Sequence, residues 1–490
     1  MRQTHSLQLC IGQIPIESIE FDIHSRDELP QILQGLQHLY VEHREAVFAY
    51  LEQQLSTDAD PNNGRPGMSL WQALVLGVVR LGLNCDYDHL TELANQHLTL
   101  RQMLGHGLLN ADARYALQTI RDNVRRFTPD IIEGLNRRVI QAGHLQLKQD
   151  HVPLRGRCDS FVVETDVHYP TDINLLRDAV RVVLRLCVQA CDVFDLGGWR
   201  QADYHLNVVS RLYRAAQNRK ASTAKDPAKI AARQQAICDA HQALLDHCRG
   251  LLLRIDRTLN ALSAYPEAAF YVQSIQRYRA HLVRQIDQID RRVLQGEMIP
   301  HAEKVFSLFQ EHTEWIVKGK AGVPVELGVR VCILTDHMGF ILHHQVMDKQ
   351  TDDQIAVEMI EQAQQRFPRL IQASFDKGFY SPQNRTMLEK KLDWLVMPKK
   401  GKCNQAEQAR ESAAAFVKAR RQHSAVESSI NALEQHGLDR CRDHGLGGFK
   451  RYVAFAVLAR NLQILGAILH RQRQEQAQQA RCRSCQRVAA

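Results

Sequence analysis

The sequence lacks an apolar run long enough to span a membrane. Its longest apolar stretches, around residues 74–83 and 452–459, fall short of the ~20 residues that a spanning helix needs. The first 20 residues also lack the basic start and following apolar run of a secretory signal. We therefore expect a soluble protein with no membrane partner.

The twelve cysteines form no recognisable zinc-binding pattern. Two pairs are closely spaced, Cys187/Cys191 and Cys482/Cys485, but neither has a second cysteine pair or a histidine pair at ligand spacing. Scattered thiols without an export signal are typical of a reducing compartment. We expect a cytoplasmic protein in which these thiols are incidental to function.

The charge balance is moderately basic. The chain has 62 Lys and Arg residues against 54 Asp and Glu residues, a net charge of +8. This balance favours a polyanionic partner but does not identify it, because many basic proteins bind no nucleic acid. The length of 490 residues exceeds the usual size of one core, so two or three domains are expected.

The first 150 residues divide into an N-terminal segment (1–66) and a helical block (67–150). A loop rich in Pro, Gly, Asn and Asp at residues 58–67 separates them. Apolar residues at steps of four predict a helix over 68–81, and a second helix follows at 87–95, a spacing that resembles a helix-turn-helix. An arginine-rich helix is predicted at 112–127. The block is either an end-binding DNA domain or a helical bundle with a solvated basic face.

The pattern then changes to a mixture of strands and helices. A short apolar run at 161–163 predicts a buried strand, and a turn at 336–339 predicts a hairpin of strands 325–334 and 340–346. Helical periodicity fills most of 172–320, and helices alternate with strands after 350. One strand, a hairpin and then alternating elements is the order of a ribonuclease H-like domain, here α/β.

This order divides the rest of the chain into three parts. The ribonuclease H-like domain takes 151–171 and 321–470, and a large helical insertion takes 172–320. The tail at 471–490 is rich in Gln and Arg and has almost no large apolar residue, so we predict a disordered basic tail.

Four carboxylates are candidates for chemistry. Asp376 closes a predicted strand, where open α/β sheets bind their ligands. Asp159 lies at the start of the first predicted strand, where a charge beside an apolar run needs a partner or a metal. Asp166 lies past the end of that strand and competes with Asp159. Glu427 lies on the polar face of a predicted helix. Taken alone, Asp376 is also consistent with a solvated loop aspartate, and Glu427 is more simply explained as part of an ordinary polar helix face.

Three motifs together resemble one family. Residues 158–172, 375–381 and 423–427 are similar to the signatures of the DDE transposases of bacterial insertion sequences, nearest to the ISNCY-type group. The third signature continues through 437–442 and 459–462. The resemblance covers roughly residues 71–469, and the three motifs are far more specific in combination than any one of them.

The resemblance implies a catalytic triad of Asp159, Asp376 and Glu427, with Asp166 as the reserve for the first position. These carboxylates would bind two Mg²⁺ or Mn²⁺ ions that stabilise the attacking and leaving oxygens of a phosphodiester. The chain departs from the family at three positions. Phe161 replaces a hydroxyl residue common two positions after the first aspartate, and His423 and Glu434 replace an arginine and a lysine of related transposases.

The implied function is cleavage of element ends and transfer of the strand to target DNA. The expected partners are the terminal repeats, the target DNA and further copies of the chain in a synaptic complex, and the expected location is the cytoplasm, in association with the nucleoid. A catalytically inactive DNA-binding relative and a ribonuclease H-like nuclease are the alternatives. Residues expected to contact DNA are His423, Lys377, Lys399, Lys400, Lys402 and Arg420.

Overall fold

The central strand of the sheet, β1 (Leu154–Thr165), is twelve residues long. The computed structural model describes residues 12–22, 24–55, 67–107, 113–221, 223, 225–317 and 324–489. The sequence predicted only residues 161–163 as this strand, because Arg155 and Arg157 interrupt the apolar pattern. Both arginines retain solvent exposure, because alternate residues of a strand point to opposite faces. Asp159 therefore lies in the middle of β1 and not at its start.

A mixed seven-stranded sheet forms around β1. The other strands are β2 (Glu314–Val317), β3 (Val325–Thr335), β4 (Ile341–Met347), β5 (Leu370–Phe375), β6 (Trp394–Val396) and β7 (Arg440–Cys441). Their order is β2-β3-β1-β5-β6, with β4 also paired to β3 and β7 to β1. The predicted hairpin is confirmed, since β3 and β4 pair antiparallel. On the other side of β1, strands β5 and β6 are parallel to it.

Helices precede, interrupt and follow the sheet strands. Before β1 lie α1 (Leu29–Glu42), α2 (Arg44–Leu55), α3 (Leu70–Gly82), α4 (Tyr87–Gln96), α5 (Leu98–Met103), α6 (Leu117–Val124) and α7 (Pro129–Gln146). Between β1 and β2 lie α8 (Asp172–Val193), α9 (Ala202–Gln217), α10 (Pro227–Leu262) and α11 (Ala269–Ile289). The rest are α12 (Asp352–Arg366), α13 (Pro382–Glu389), α14 (Gln405–Ser412), α15 (Ala414–His423), α16 (Ala425–Leu433) and α17 (Gly445–Ala489).

Each face of the sheet is covered by a different hydrophobic core. On one face, Phe161 and Val163 of β1 join the core built by helices α1 to α7, α16 and α17. On the other face, Cys158 packs with α12 and α13 and with Phe375 at the end of β5. The odd and even residues of β1 thus serve different cores, as the two-residue period of a strand requires.

The chain forms two compact units. Val167–Trp315 is one unit, and the predicted insertion at 172–320 extends past it into β2. Its core is formed by helices α8 to α11 and contains the closely spaced Cys187 and Cys191, both buried. Cys482 and Cys485 lie where only the backbone is described.

The second unit combines residues up to Asp166 with those from Ile316 onward. The predicted helical domain at 67–150 belongs to this unit and shares one core with the sheet and α17. Most of the breaker-rich segment lies outside the described residues, as does the start of the arginine-rich helix, which is observed only at Leu117–Val124. Periodicity predicts which segments are helical but does not predict that separate helices share one core.

The tail at 471–490 differs from the prediction of disorder. Helix α17 continues through it to Ala489. Gln, Arg and Ala are good helix formers, and a helix that is already nucleated by a buried segment extends without a new nucleation step. Within the described residues, one helix, Gly445–Gln479, is long and apolar enough to cross a membrane, but 72% of its apolar window is buried inside the protein. This burial is that of a core helix.

Candidate active site

The pairing of β1 with β5 brings two of the predicted carboxylates together. Cys158 is the register partner of Phe375, so the next residues along the two parallel strands are Asp159 and Asp376. Neighbouring strands are about 4.8 Å apart. Because Cys158 and Phe375 both point into one core, Asp159 and Asp376 share the opposite face.

The third predicted carboxylate reaches this face from a helix. Helix α16 packs on β1 through Val426, Ile430 and Leu433, which are buried in the core. Glu427, in the first turn of α16, is exposed. The apolar stripe of α16 therefore fixes the helix while leaving its carboxylate free to face the strand ends.

The raised pKa of Asp159 indicates a cluster of negative charge around it. Burial, together with the neighbouring carboxylates Asp376, Asp352 and Glu427, raises the pKa of Asp159 to about 6. The backbone N–H of Ser160 donates a hydrogen bond of 2.8 Å to Asp159 and acts in the opposite direction. The three predicted residues thus lie within one another's electric field, and the excess of negative charge favours a bound cation.

Asp352 is a fourth carboxylate that the sequence did not single out. It is the first residue of α12 and accepts a hydrogen bond of 2.6 Å from the Ser160 hydroxyl. Its other oxygen lies 2.7 Å from the position that a Cβ atom on Gly378 would take, just after Asp376. In the sequence, Asp352 is one of two acids in a helix first turn, and only its tertiary contact with Ser160 relates it to Asp159.

His423 ends α15 beside the carboxylates. Its Nδ1 atom lies 2.9 Å from the Ser374 hydroxyl, and its Nε2 atom is buried and has no hydrogen-bond partner among the described residues. Burial lowers the pKa of His423, although Asp376 and Glu427 act to raise it. A neutral imidazole cannot supply the positive charge of the arginine that the resemblance predicts at this position.

The predicted basic contacts differ in availability. Lys399 is partly buried and its ammonium group lies 2.7 Å from Glu407, so its charge is already paired. The other predicted basic residues are exposed, and they are Lys377, Lys400, Lys402 and Arg420. Lys377 follows Asp376 directly, whereas Lys400 and Lys402 lie in the loop after β6.

The reserve aspartate lies in a different place. Asp166 follows the far end of β1, seven residues from Asp159, which corresponds to about 23 Å along a strand. It lies 3.7 Å from the Arg440 guanidinium and lines a cleft that also contains Glu434. The structure therefore pairs Asp376 with Asp159 and not with Asp166.

The donor set suits a hard divalent ion. Carboxylate oxygens are the preferred ligands of Mg²⁺, which keeps several waters and needs only one or two protein carboxylates. Among the described residues, no three His, Cys, Asp or Glu side chains are close enough to form a ready-made metal-binding group.

The helix pair that resembles a helix-turn-helix has a poor surface for DNA. Helix α3 is buried along nearly its whole length, and its partner α4 exposes Asp88 and Glu92. Two acidic side chains on the exposed face of α4 repel phosphates. The sequence spacing is present, but this surface does not match a recognition helix.

No protein-family model, curated protein or solved structure matches this chain at a significant level.

Proposed function

We propose that the chain is a DDE transposase of an insertion sequence, which cleaves element ends and joins them to target DNA. The observation that carries the proposal is the register of β1 and β5, which makes Asp159 and Asp376 neighbours. A ribonuclease H-like domain is also supported by the sheet order, with an antiparallel hairpin on one side of β1 and two parallel strands on the other.

Two Mg²⁺ or Mn²⁺ ions held by Asp159, Asp376 and Glu427 would stabilise the charge that develops on the attacking and leaving oxygens. The protein orients these ligands through its backbone and its packing. The Ser160 amide holds the Asp159 carboxylate, and the buried stripe of α16 holds Glu427. Asp352, bonded to the Ser160 hydroxyl, adds negative charge at the edge of the site.

The expected partners follow from this chemistry. Terminal repeats and target DNA are the substrates, and two ends held together would require more than one copy of the chain. The net charge of +8 favours a polyanionic substrate. Residence in the cytoplasm near the nucleoid belongs to the same proposal.

The test is cleavage of DNA that carries the ends flanking this coding sequence. The purified protein, with Mg²⁺, should nick the 3′ ends, and Asp376→Asn and Glu427→Gln should each lower the rate by at least about 100-fold, which corresponds to about 2.7 kcal/mol. Asp166→Asn is the matched control, because it removes a carboxylate from the far end of β1. Equal cleavage by the parent and Asp376→Asn, or loss of cleavage in the control alone, would contradict the assignment.

One observation favours a second candidate, a nuclease that cuts without joining or an inactive DNA-binding relative. Glu434 and the neutral His423 stand where the resemblance predicts cations, and Glu434 lines an acidic cleft away from the site. Strand-transfer products on supercoiled target DNA would exclude this candidate. Cleavage without such products would favour the nuclease, and end binding without cleavage would favour the inactive relative.

A further inference from the structure

An open groove of about 730 Å³ adjoins the carboxylates. It crosses the faces of β1, β5 and β6 and is bordered by α15. On three elements the groove and the site are adjacent in sequence: Arg157 precedes Asp159 by two residues, Ser374 precedes Asp376 by two, and Gln422 precedes His423. The groove therefore leads away from the site along the same sheet face.

The groove is basic. Arg155, Arg157 and Lys418 line it, and Asp393 is the one acid among its lining residues. Arg155 and Lys418 are exposed, whereas Arg157 is partly buried and donates a hydrogen bond of 3.2 Å to the Asp336 carbonyl. A guanidinium that is partly removed from water favours a nearby anion, since burial otherwise disfavours its charged form.

Among the described residues, no carboxylate forms an ion pair with Arg157. A phosphate of a bound strand would accept a charge-assisted hydrogen bond from the Arg157 guanidinium.

The cleft at the other end of β1 has the opposite charge. It is lined by five acids, which are Glu164, Asp166, Glu326, Glu434 and Asp439, and by the two arginines Arg440 and Arg442. A polyanion is therefore attracted to the groove and repelled from this cleft. The contrast favours a strand that lies over the groove and avoids the cleft.

Trp394 supplies an aromatic surface in the groove. It is the first residue of β6 and is 40% exposed, although tryptophan is usually largely buried. An exposed indole in a basic groove suits the stacking of an unpaired base, and stacking contributes about 1–3 kcal/mol per base. A base inside a duplex is already stacked on its neighbours, so such a surface favours a single strand over a duplex.

We propose that this groove binds an unpaired segment of the DNA strand next to the reacting phosphodiester. Arg155, Arg157 and Lys418 contact its phosphates, and Trp394 stacks on one of its bases. This inference rests on the proposed function for the identity of the strand as DNA, but its binding test does not depend on catalysis.

The first test measures binding of the full chain to fluorescein-labelled dT15 in EDTA by anisotropy at several salt concentrations. The double variant Arg155→Gln/Lys418→Gln should bind more weakly and lose about 1.4 from the slope of log affinity against log salt, at about 0.7 for each lost phosphate contact on a single strand. The matched control is Lys225→Gln/Lys229→Gln, which removes the same charge from exposed positions in the other unit, outside the groove. An equal loss of slope in both double variants would overturn the groove assignment.

The second test uses Trp394→Ala. The variant should bind dT15 about 5- to 150-fold more weakly, which is the range that corresponds to the stacking energy of one base, with Trp394→Phe recovering part of the affinity. Binding of a blunt duplex should change little. An unchanged dT15 affinity, or an equal loss for the duplex, would overturn the stacking role.

The two proposals fail in different ways. If dT15 binding depends on the groove but no DNA is cleaved with Mg²⁺, the proposed function fails and the groove stands. If cleavage occurs and depends on Asp376 while the groove variants bind dT15 as the parent does, the groove inference fails and the function stands.

Discussion

The carboxylate cluster should destabilise the metal-free protein at neutral pH. Burial and three neighbouring carboxylates raise the pKa of Asp159 from 3.8 to about 6. The unfolded chain loses this proton from about pH 4, whereas the folded chain keeps it until about pH 6. The contribution of protonated Asp159 to the free energy of unfolding is therefore fully present below pH 4 and is lost as the pH rises through 6.

The size of the effect follows from the shift. A shift of about two pKa units corresponds to about 3 kcal/mol, at 1.36 kcal/mol for each unit. Asp159→Asn removes the charge and keeps an oxygen that accepts the hydrogen bond of the Ser160 amide. We expect this variant to be about 2–3 kcal/mol more stable than the parent at pH 8 and equal to it near pH 4.

The assay is urea unfolding in EDTA at several pH values between 4 and 8. The gain of Asp159→Asn should grow with pH, whereas Asp166→Asn, an exposed carboxylate beside Arg440, should gain nothing. Added Mg²⁺ should stabilise the parent and not the Asp159→Asn variant, since only a ligand that binds the folded site shifts its stability. A variant that is less stable than the parent at pH 8, or a pH-independent difference, would refute the reasoning.

Two further substitutions test the packing around the site. His144→Ala should destabilise the protein by about 3–5 kcal/mol in denaturant unfolding, because it removes the imidazole that lies 2.8 Å from the buried Asp336 carboxylate. The control is His151→Ala, which removes an exposed imidazole and should leave the stability unchanged. Gly466→Ala should lower stability by about 1–3 kcal/mol, because its Cβ atom would overlap the backbone oxygen of Gln31 in α1, whereas Gly447→Ala meets open space and should be tolerated. A stability unchanged by Gly466→Ala would show that α1 and α17 are less closely packed than described.

The alternation of apolar residues predicted the hairpin β3–β4, because one face of each strand had to be buried. The same rule underestimated β1. Its first half carries Arg155 and Arg157, which border the groove, and a hydrophobic pattern cannot detect a strand whose face is polar and not covered by a core. The part of the strand that the pattern missed is the part next to the candidate site.

Helical periodicity identified segments but not their surroundings. The spacing of α3 and α4 resembles a DNA-binding motif, yet α3 is a core helix and α4 exposes acids. Composition likewise predicted a disordered tail, but the tail is helical. It continues helix α17, whose first part is buried in the core and nucleates the helix. Both differences arise because burial is a property of the whole packing arrangement.

The sequence by itself determined the residue types that divalent-metal chemistry needs and the motifs that contain Asp159, Asp376 and Glu427. Only the tertiary structure decided which carboxylates meet. Strand pairing acts across 217 positions of the chain to make Asp159 and Asp376 neighbours, and it separates Asp166 from them by the length of half a strand. The tertiary structure also brings Asp352, the first residue of α12, to the Ser160 hydroxyl beside Asp159. Local spacing reaches only a few residues, whereas a metal site depends on contacts between distant segments.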